Sequence, residues 1–464
     1  MTAPRAAALL SCALLVTPAF AARIVTVDVS RSLGALNREL GGVTQGSANP
    51  AVNAALASIG VPHIRIDTWF DLSGVDCVNP PDFGALDARV ANVRAAGAEP
   101  LVIIDYMPAC LSRYTGPRLG GEPDPTRQPP ASYDAFEALV YATVRHLARD
   151  LAVRWFEAWN EPDFPQFFQG TLLDYLDVYD RIEKAVRRVE QEESVELRLG
   201  GPATLFPDPL WIPAFIAHVA LENRKLDFVS WHWYASYPLF GPIVTTPFGP
   251  FPPVTIENPL TKPRDYADHT ELVRSWVKSA WALRTDGAAQ PLLWLDEWNL
   301  NSGRDPRHDT DEDAAFAAAA LDWMLRGGLD RASLFNVEDS TDPNFNQGMF
   351  FNRPGDSGPA RPKPVFATFE AWSRLESERV ALAVDHDAGF DGALAFVTQQ
   401  DNVGGIASRS DDGKRLTILL YNWSPRLKRH ESLEVRVIGA GESVAPIDVE
   451  LDDSQIRFLE VALP

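Results

Sequence analysis

Apolar residues along this chain alternate between two patterns. Short runs rich in β-branched and aromatic residues are separated by longer stretches with apolar residues at helical spacing, such as "YDAFEALVYATVRHLARDL". This alternation is typical of a parallel sheet whose strands are joined by helices. We predict eight strands, at residues 41–46, 63–67, 100–105, 153–159, 197–202, 227–234, 291–298 and 332–339. Eight strand–helix units predict an α/β fold, the (β/α)8 TIM barrel.

The pattern changes after about residue 378. Segments such as "RLTILLYNW" and "ESLEVRVIG" read as short strands separated by polar turns, with no helices between them. They predict a small all-β sandwich domain appended to the barrel. The early segment "RIVTVDVS" has no helix after it and can add a strand to that domain. We therefore expect a barrel over residues 38–378, and a β-sandwich made of residues 22–37 together with 379–464.

The first 21 residues form a separate unit. They contain one early positive charge, an apolar stretch over residues 6–16 and a small-residue ending, "AFA". These are the parts of a secretory signal peptide cleaved after Ala21. A membrane anchor needs a longer apolar span, and the stretch before Cys12 is short for a lipoprotein signal. We expect export, to the periplasm or the medium.

Composition and charge restrict the partners of the protein. The chain has a net charge of −21, which disfavours nucleic acid and anionic membranes as partners. Hydrophobic residues make up 46% of the chain and charged residues 23%, so a sizeable core is expected. The body of the chain has no apolar run long enough for a transmembrane helix. The sequence does not determine the oligomeric state, for which we favour a monomer.

Cleavage of the signal peptide would leave two cysteines, Cys77 and Cys110. They follow the second and third predicted strands, whose loops emerge side by side in a barrel. In an oxidising compartment the two can form one disulfide. Two free buried thiols fit the sequence equally well.

Two glutamates occur where predicted strands end. The fourth strand, in "RWFEAWNEPDF", runs into Glu161 and is stopped by Pro162, which cannot donate to the sheet. The seventh strand, in "LLWLDEWNL", ends at Glu297. Strand ends on the C-terminal face carry the active site of a TIM barrel. Two carboxyl groups on one rim are what hydrolysis of a glycosidic bond requires. The sequence therefore predicts a glycoside substrate.

These stretches resemble glycoside hydrolase family 39, the family of β-xylosidases and α-L-iduronidases. The resemblance includes "FEAWNEPD", "VSWHWYA", "RPKPVFATF" and the long segment "LDEWNLNSGRDPRHDTDEDAAFAAAAL". It implies a barrel with a β-sandwich, Glu161 as the acid/base, Glu297 as the nucleophile, and retention of the anomeric configuration. We expect the pKa of Glu161 to be raised by its surroundings and Glu297 to stay ionised.

Other side chains at the strand ends are candidate substrate contacts. Arg65, at the end of the second strand, can support an ionised Glu297 or form a structural ion pair. Asn160 can hydrogen-bond the sugar 2-hydroxyl. His232 and Tyr234 share one face of the sixth strand, where a histidine can also be plain core.

Three more residues have two possible roles each. Trp69 and Trp298 can serve as aromatic platforms for sugar rings, although most of the 13 tryptophans must be core. Asp339 ends the eighth strand and matches an aspartate of the family. It can contact substrate or support a residue that does.

The sequence departs from the family at two positions. The second strand reads Arg65-Ile66-Asp67, where the β-xylosidases carry Arg-Phe-His, so Asp67 replaces a sugar-contacting histidine. Asp296 precedes Glu297 where the family usually has threonine. The resemblance therefore leaves the preferred sugar open, with a β-xylosidase as the nearest named activity.

No motif in the sequence indicates a cofactor or metal. There is no glycine-rich phosphate loop after the first strand and no His-Glu-x-x-His zinc motif. The acidic run at residues 309–314 lacks the glycine of an EF-hand loop and is better explained as the start of a helix.

Two alternatives to a β-xylosidase remain at this point. One is a hydrolase of a bacterial exopolysaccharide or another oligosaccharide, and the other is a non-catalytic carbohydrate-binding protein that kept the barrel. The presence of both glutamates argues against the second. The proline- and aromatic-rich segment 237–263 is expected to fold over the barrel mouth and shape the subsites beyond the cleavage point.

Overall fold

A closed barrel of eight parallel strands forms the larger part of the protein. The computed structural model describes residues 22–70, 81–114, 124–236, 245–246, 249–250, 262–385, 402–425 and 428–464. The barrel strands are β2 (Gly42–Thr44), β3 (His63–Asp67), β4 (Glu99–Ile104), β5 (Trp155–Ala158), β6 (Arg198–Thr204), β7 (Phe228–Ser236), β10 (Leu292–Asn301) and β11 (Arg331–Leu334). All eight predicted strands are confirmed, and the predicted (β/α)8 barrel with them.

Helices cover the outside of the barrel. They are α1 (Pro50–Ser58), α2 (Gly84–Ala95), α3 (Tyr133–Asp150), α4 (Leu172–Glu193), α5 (Trp211–Leu221), α6 (Asp265–Trp281), α7 (Asp311–Gly327) and α8 (Pro364–Arg374). Short 3-10 turns lie at Arg38–Gly41, Ala109–Leu111, Pro125–Arg127 and Pro306–Asp309. Among the described helices, none is both long enough and apolar enough to cross a membrane.

Local capping signals explain where several helices begin. The Ser132 side chain accepts from the backbone N–H of Ala135 at the start of α3. Thr171 and Asp174 form a reciprocal capping box at the start of α4. The acidic run at 309–314 leads into α7, whose first turn is acidic and whose N-cap is Thr310. Negative side chains there stabilise the positive end of the helix dipole, so the predicted helix start is confirmed.

The two ends of the barrel interior differ in polarity. Leu101, Phe228 and Trp294 lie near the starts of their strands and form a small buried cluster, with Trp155 packed against it. Toward the other end the interior holds charged groups, with Arg65 fully buried among them. The charged groups of the described barrel interior are therefore concentrated toward the strand ends.

The second domain is one sheet of seven strands. Its members are β1 (Arg23–Ala35), β12 (Glu378–Val384), β13 (Asn402–Arg409), β14 (Arg415–Trp423), β15 (Glu431–Ile438), β16 (Ile447–Leu451) and β17 (Gln455–Ala462). The order is β16-β15-β1-β12-β13-β14-β17, and β1 pairs parallel with β15 but antiparallel with β12. The predicted appended all-β domain is confirmed, and its strands form a single seven-stranded sheet.

This sheet curls around its own core and packs on the barrel. The Asn422 side chain of β14 donates to the Leu451 carbonyl of β16, although these strands are far apart in the sheet order. The curl encloses a separate cluster of valines and leucines, including Val27, Ile418 and Val435. Against the barrel, the Tyr421 hydroxyl donates to Asp322 of α7 at 2.9 Å.

Three predictions fall outside the described residues. The signal peptide, residues 1–21, is one of them. The second is the arrangement of segment 237–263, of which only 262–263 and the short strands β8 (Thr245–Thr246) and β9 (Gly249–Pro250) are described. The third is the pairing of Cys77. Cys110 is disulfide-bonded, which excludes the free-thiol alternative for that residue.

Candidate active site

The chain leaves β5 through a strained turn that presents Glu161. Trp159 and Glu161 have φ of 69° and 43°, in the left-handed region that residues other than glycine rarely adopt. The N–H of Glu161 donates to the Ala203 carbonyl at 2.9 Å, which holds the turn against β6. Such strain costs about 1–3 kcal/mol per residue and is concentrated at functional sites. The sharp stop after an aromatic strand thus positions a carboxyl group at the barrel mouth.

A bulge in β10 turns two neighbouring carboxyl groups into the barrel. The pairing of β10 with β7 shifts register between Leu295 and Glu297. A bulge interrupts the alternation of side chains along a strand. As a result, both Asp296 and Glu297 reach Arg65, at 3.3 Å and 3.2 Å.

The same bulge overturns the prediction for Trp298. Its ring is fully buried on the outside of the barrel, where it packs edge-on against Tyr266 of α6 and contacts Phe316 of α7. A ring in this layer cannot stack on a sugar, so the prediction that Trp298 is a sugar platform is wrong. Strict alternation would have placed it inside, and the extra residue in the bulge moved it out.

Arg65 lies at the centre of the buried charges. Its guanidinium donates to Glu157 at 2.7 Å and to Glu297 at 3.2 Å. A third bond, of 2.9 Å, goes to the Asn160 side-chain oxygen. Burial alone would lower the pKa of Arg65, but the surrounding carboxyl groups outweigh it and hold the pKa well above its ordinary value. The side chain therefore stays charged. It makes both predicted contacts, a hydrogen bond to Glu297 and a structural ion pair with Glu157.

The two glutamates meet beside His232. Nδ1 of His232 is 2.7 Å from Oε1 of Glu161 and 3.7 Å from Oε2 of Glu297. One carboxylate oxygen of each glutamate and a ring nitrogen of the histidine all lie within 4.8 Å of one another. Such a group could hold a metal ion by distance alone. The 2.7 Å between Nδ1 and Oε1 is a hydrogen-bond distance, so one of these two atoms carries a proton and the other accepts it.

Their surroundings give the two glutamates different proton affinities. Burial raises the pKa of Glu161 well above its ordinary value, and the charge of Glu297 adds to the rise. Burial also raises the pKa of Glu297, to about 7, but Arg65 and the hydroxyl of Tyr234 oppose it. Glu297 therefore loses its proton first. Above about pH 7 the site therefore holds one carboxylic acid and one carboxylate, the arrangement expected of an acid/base and a nucleophile.

The structure also brings together most of the other predicted site residues. The Tyr234 hydroxyl donates to Oε1 of Glu297. Asn160 accepts from Arg65 and donates to the Tyr106 hydroxyl at 3.0 Å. His232 is fully buried, and burial together with the nearby Arg65 lowers its pKa well below the ordinary value, so the ring is neutral.

Three predicted residues lie around this centre. Asp67 accepts a 2.7 Å hydrogen bond from the Gln45 side chain. Trp69 is half-buried, with the Arg89 guanidinium 3.9 Å over its ring. Asp339 forms a 2.7 Å ion pair with the buried Lys363, and its two predicted roles, substrate contact and support of a neighbouring residue, both stay predictions.

Sequence reasoning missed several buried polar partners. Glu157 is fully buried in β5, where it accepts from Arg65 and, at 2.6 Å, from Ser230. Asp105 is fully buried too, and burial followed by the charge of Asp67 raises its pKa well above the ordinary value. The available signal was a charged residue inside or directly after an apolar strand, but the sequence does not reveal partners across the barrel.

Comparison with known proteins identifies the family. The family model "Glycosyl hydrolases family 39" matches residues 45–455. A β-xylosidase from Caldicellulosiruptor saccharolyticus is 26% identical over 360 residues, which cover 74% of this chain and 68% of that protein. A β-xylosidase from Geobacillus stearothermophilus is 25% identical over 307 residues, 59% of this chain and 56% of that protein.

The fold agrees with a solved structure. The crystal structure of a monomeric β-xylosidase from Caulobacter crescentus CB15 matches with a TM-score of 0.70 at 20% identity, covering 96% of this chain and all of that one. The family match spans seven of the eight barrel strands and five of the seven strands of the β domain. The resemblance seen in the sequence is thereby confirmed: this chain belongs to glycosyl hydrolase family 39 and is a glycoside hydrolase.

Proposed function

We propose that the protein is an exported, retaining glycoside hydrolase with β-xylosidase-like activity. The observation that carries the proposal is the spacing of Glu161 and Glu297, with one oxygen from each within 4.8 Å. Retaining enzymes hold their two carboxyl groups about 5–5.5 Å apart, whereas inverting enzymes need about 6.5–9.5 Å to admit a water. The two β-xylosidases that resemble the chain support the choice of sugar.

In the proposed reaction Glu297 attacks the anomeric carbon as the bond to the leaving oxygen breaks. Glu161 transfers its proton to that oxygen, and the covalent glycosyl-enzyme remains. Glu161, now ionised, takes a proton from water as the water oxygen attacks the same carbon and releases Glu297. Arg65 and Tyr234 both donate to Glu297, and so keep it ionised for attack and stabilise it as the leaving group.

A second candidate differs in the sugar. Asp67 replaces the histidine of the β-xylosidases, and its carboxyl group accepts from Gln45 rather than donating. This change favours a sugar other than xylose, such as a unit of a bacterial exopolysaccharide or another oligosaccharide. The chemistry proposed for the two glutamates is the same in both cases.

Export and oligomeric state belong to the same proposal. The predicted signal peptide supports export, and so does the disulfide at Cys110, because disulfides persist mainly in oxidising compartments. A monomer is favoured, as in the Caulobacter enzyme of similar fold. Fractionation of a producing bacterium and light scattering on the purified protein test these two points.

A panel of nitrophenyl glycosides tests the activity and the sugar together. We expect turnover of the β-xyloside, with proton NMR of the first product showing the β-anomer before mutarotation. Preference for another sugar selects the second candidate. An α-anomer as first product rejects retention, and no turnover of any glycoside or oligosaccharide favours a carbohydrate-binding protein.

Azide separates the roles of the two glutamates. Glu161→Ala should still release an activated aryl group, and azide should then give a product of retained configuration, since it enters from the face that the lost base served. Glu297→Ala with azide should give an inverted product, because azide replaces the nucleophile. The opposite pairing of variant and product would show that the roles are reversed.

A further inference from the structure

His232 lies between two carboxyl groups, one at each ring nitrogen. Nδ1 is 2.7 Å from Oε1 of Glu161, and Nε2 is 3.6 Å from Oδ1 of Asp296. Within the described part of the chain, Nε2 has no partner at hydrogen-bond distance. A neutral imidazole carries one proton, so the groups facing Nδ1 and Nε2 together decide which nitrogen holds it.

Asp296 is fully buried and is surrounded by groups from three neighbouring strands. Arg65 of β3 lies 3.3 Å from Oδ2, His232 of β7 faces Oδ1, and Glu157 of β5 lies alongside. Its own strand contributes Glu297. Burial and the neighbouring Glu157 raise the pKa of Asp296 well above its ordinary value. The neutral carboxyl group can donate its proton to Glu157 and keep a carbonyl oxygen toward Nε2.

We propose that Asp296 is a positioning residue that keeps the His232 proton on Nε2, so that Nδ1 accepts the proton of Glu161 and holds Glu161 in its acid form. An N–H on Nε2 is attracted to the carbonyl oxygen of Asp296, whereas a lone pair there would face another lone pair. The proposal rests on the acid/base role proposed for Glu161. Asp296 itself does not touch the reacting atoms.

The tautomer changes the proton affinity of Glu161. With the proton on Nε2, the lone pair on Nδ1 accepts from protonated Glu161 and repels its ionised form. With the proton on Nδ1, the ring would donate to ionised Glu161 and stabilise it. Removing Asp296 frees the ring to adopt the second form. It should therefore make Glu161 a stronger acid, and the enzyme should lose its acid catalyst at lower pH.

Nitrogen NMR on the unaltered protein gives the most direct test. In ¹⁵N-histidine-labelled protein, the two nitrogens of a neutral imidazole resonate far apart, and His232→Gln identifies the signals of His232. We expect a protonated Nε2 and an unprotonated Nδ1 at neutral pH. A protonated Nδ1 would overturn the proposal, whatever the activity of the enzyme.

Two substitutions at Asp296 test the consequence for catalysis. Asp296→Asn keeps one donor for Glu157 and one acceptor for Nε2, so it should preserve the tautomer. The dependence of kcat/KM on pH should then keep its basic limb, the fall in activity at high pH, in the same place. Asp296→Leu has a similar size but no polar atom. It should move the basic limb down by about one pH unit and slow poor leaving groups more than activated ones.

A matched control distinguishes this effect from a general disturbance of β10. Leu295→Val changes the neighbouring buried residue, which packs in the core away from His232. It should leave the basic limb in place. A basic limb that stays put in Asp296→Leu, or one that moves in Asp296→Asn, would overturn the proposal. Absence of turnover in the unaltered protein would defeat the proposed function, while the NMR measurement would still decide the tautomer.

Discussion

Replacing Tyr234 with phenylalanine tests how the nucleophile is kept ionised. The Tyr234 hydroxyl donates to Oε1 of Glu297, while Arg65 donates to Oε2 at 3.2 Å. Phenylalanine keeps the ring in its buried place and removes that one donor. The lost hydrogen bond stabilises the ionised form of Glu297 more than the protonated form, so the pKa of Glu297 should rise.

The size of the rise follows from the hydrogen bond. A bond to a charged group contributes about 1.5–3 kcal/mol, and about 1.4 kcal/mol corresponds to one pKa unit. Starting from about 7, the pKa of Glu297 should reach about 8–9. At pH 6 the ionised fraction then falls from roughly a tenth to between about a hundredth and a thousandth. We expect kcat/KM at pH 6 to drop by about 10- to 100-fold.

The assay is the pH dependence of kcat/KM with an activated aryl glycoside. The acidic limb should move up by about 1–2 pH units in Tyr234→Phe. The control is Tyr179→Phe, which removes another buried hydroxyl, bonded to the Lys225 carbonyl and far from the two glutamates. An acidic limb that stays in place or moves down in Tyr234→Phe would refute the idea that this hydroxyl supports an ionised nucleophile.

Three further predictions follow from the buried groups, the departure at residue 67 and the disulfide. The pKa of Glu161 is raised in the folded protein, so the folded state loses stability as the pH rises above about 4.3, the pKa of a glutamate in the unfolded chain. Glu161→Gln should therefore raise Tm at pH 8 and have a smaller effect at pH 4. An equal effect at both pH values would contradict the burial argument. Asp67→His should increase the kcat/KM for a β-xyloside relative to other glycosides, and an unchanged ratio would remove Asp67 from sugar selection. Reduction of the Cys110 disulfide, or Cys110→Ser, should lower Tm through a loss of about 2–4 kcal/mol, and an unchanged Tm would mean that the bond adds no stability.

Most of the barrel could be predicted because its signals are local. Each strand is a short apolar run followed by a helix with its own caps, as with Thr171 at the start of α4. Glu161 could be located because Pro162 marks the end of the strand. These features depend on neighbouring residues in the chain, and sequence patterns record them directly.

The arrangement inside the barrel could not be predicted in the same way. A strict alternation along β10 would place Asp296 and Trp298 inside the barrel and Glu297 outside. The bulge brings Glu297 inside and moves Trp298 outside. Bulges leave no reliable mark in a single sequence. The contact of Arg65 with Glu157 joins different strands across the barrel, so neither residue predicts the other.

The pairing of β1 determines when the second sheet can form during synthesis. This strand leaves the ribosome before the barrel, yet Val25 pairs with Val384, and Arg23 pairs with Leu433 near the other end of the chain. Its edges must stay unpaired while hundreds of residues are synthesised, and an open strand edge invites association with other chains. The barrel, whose strands follow one another closely, can form in the meantime. Vectorial synthesis therefore makes closure of the second sheet a late step, and a nascent chain stalled before β12 would carry a folded barrel with an unprotected strand attached to it.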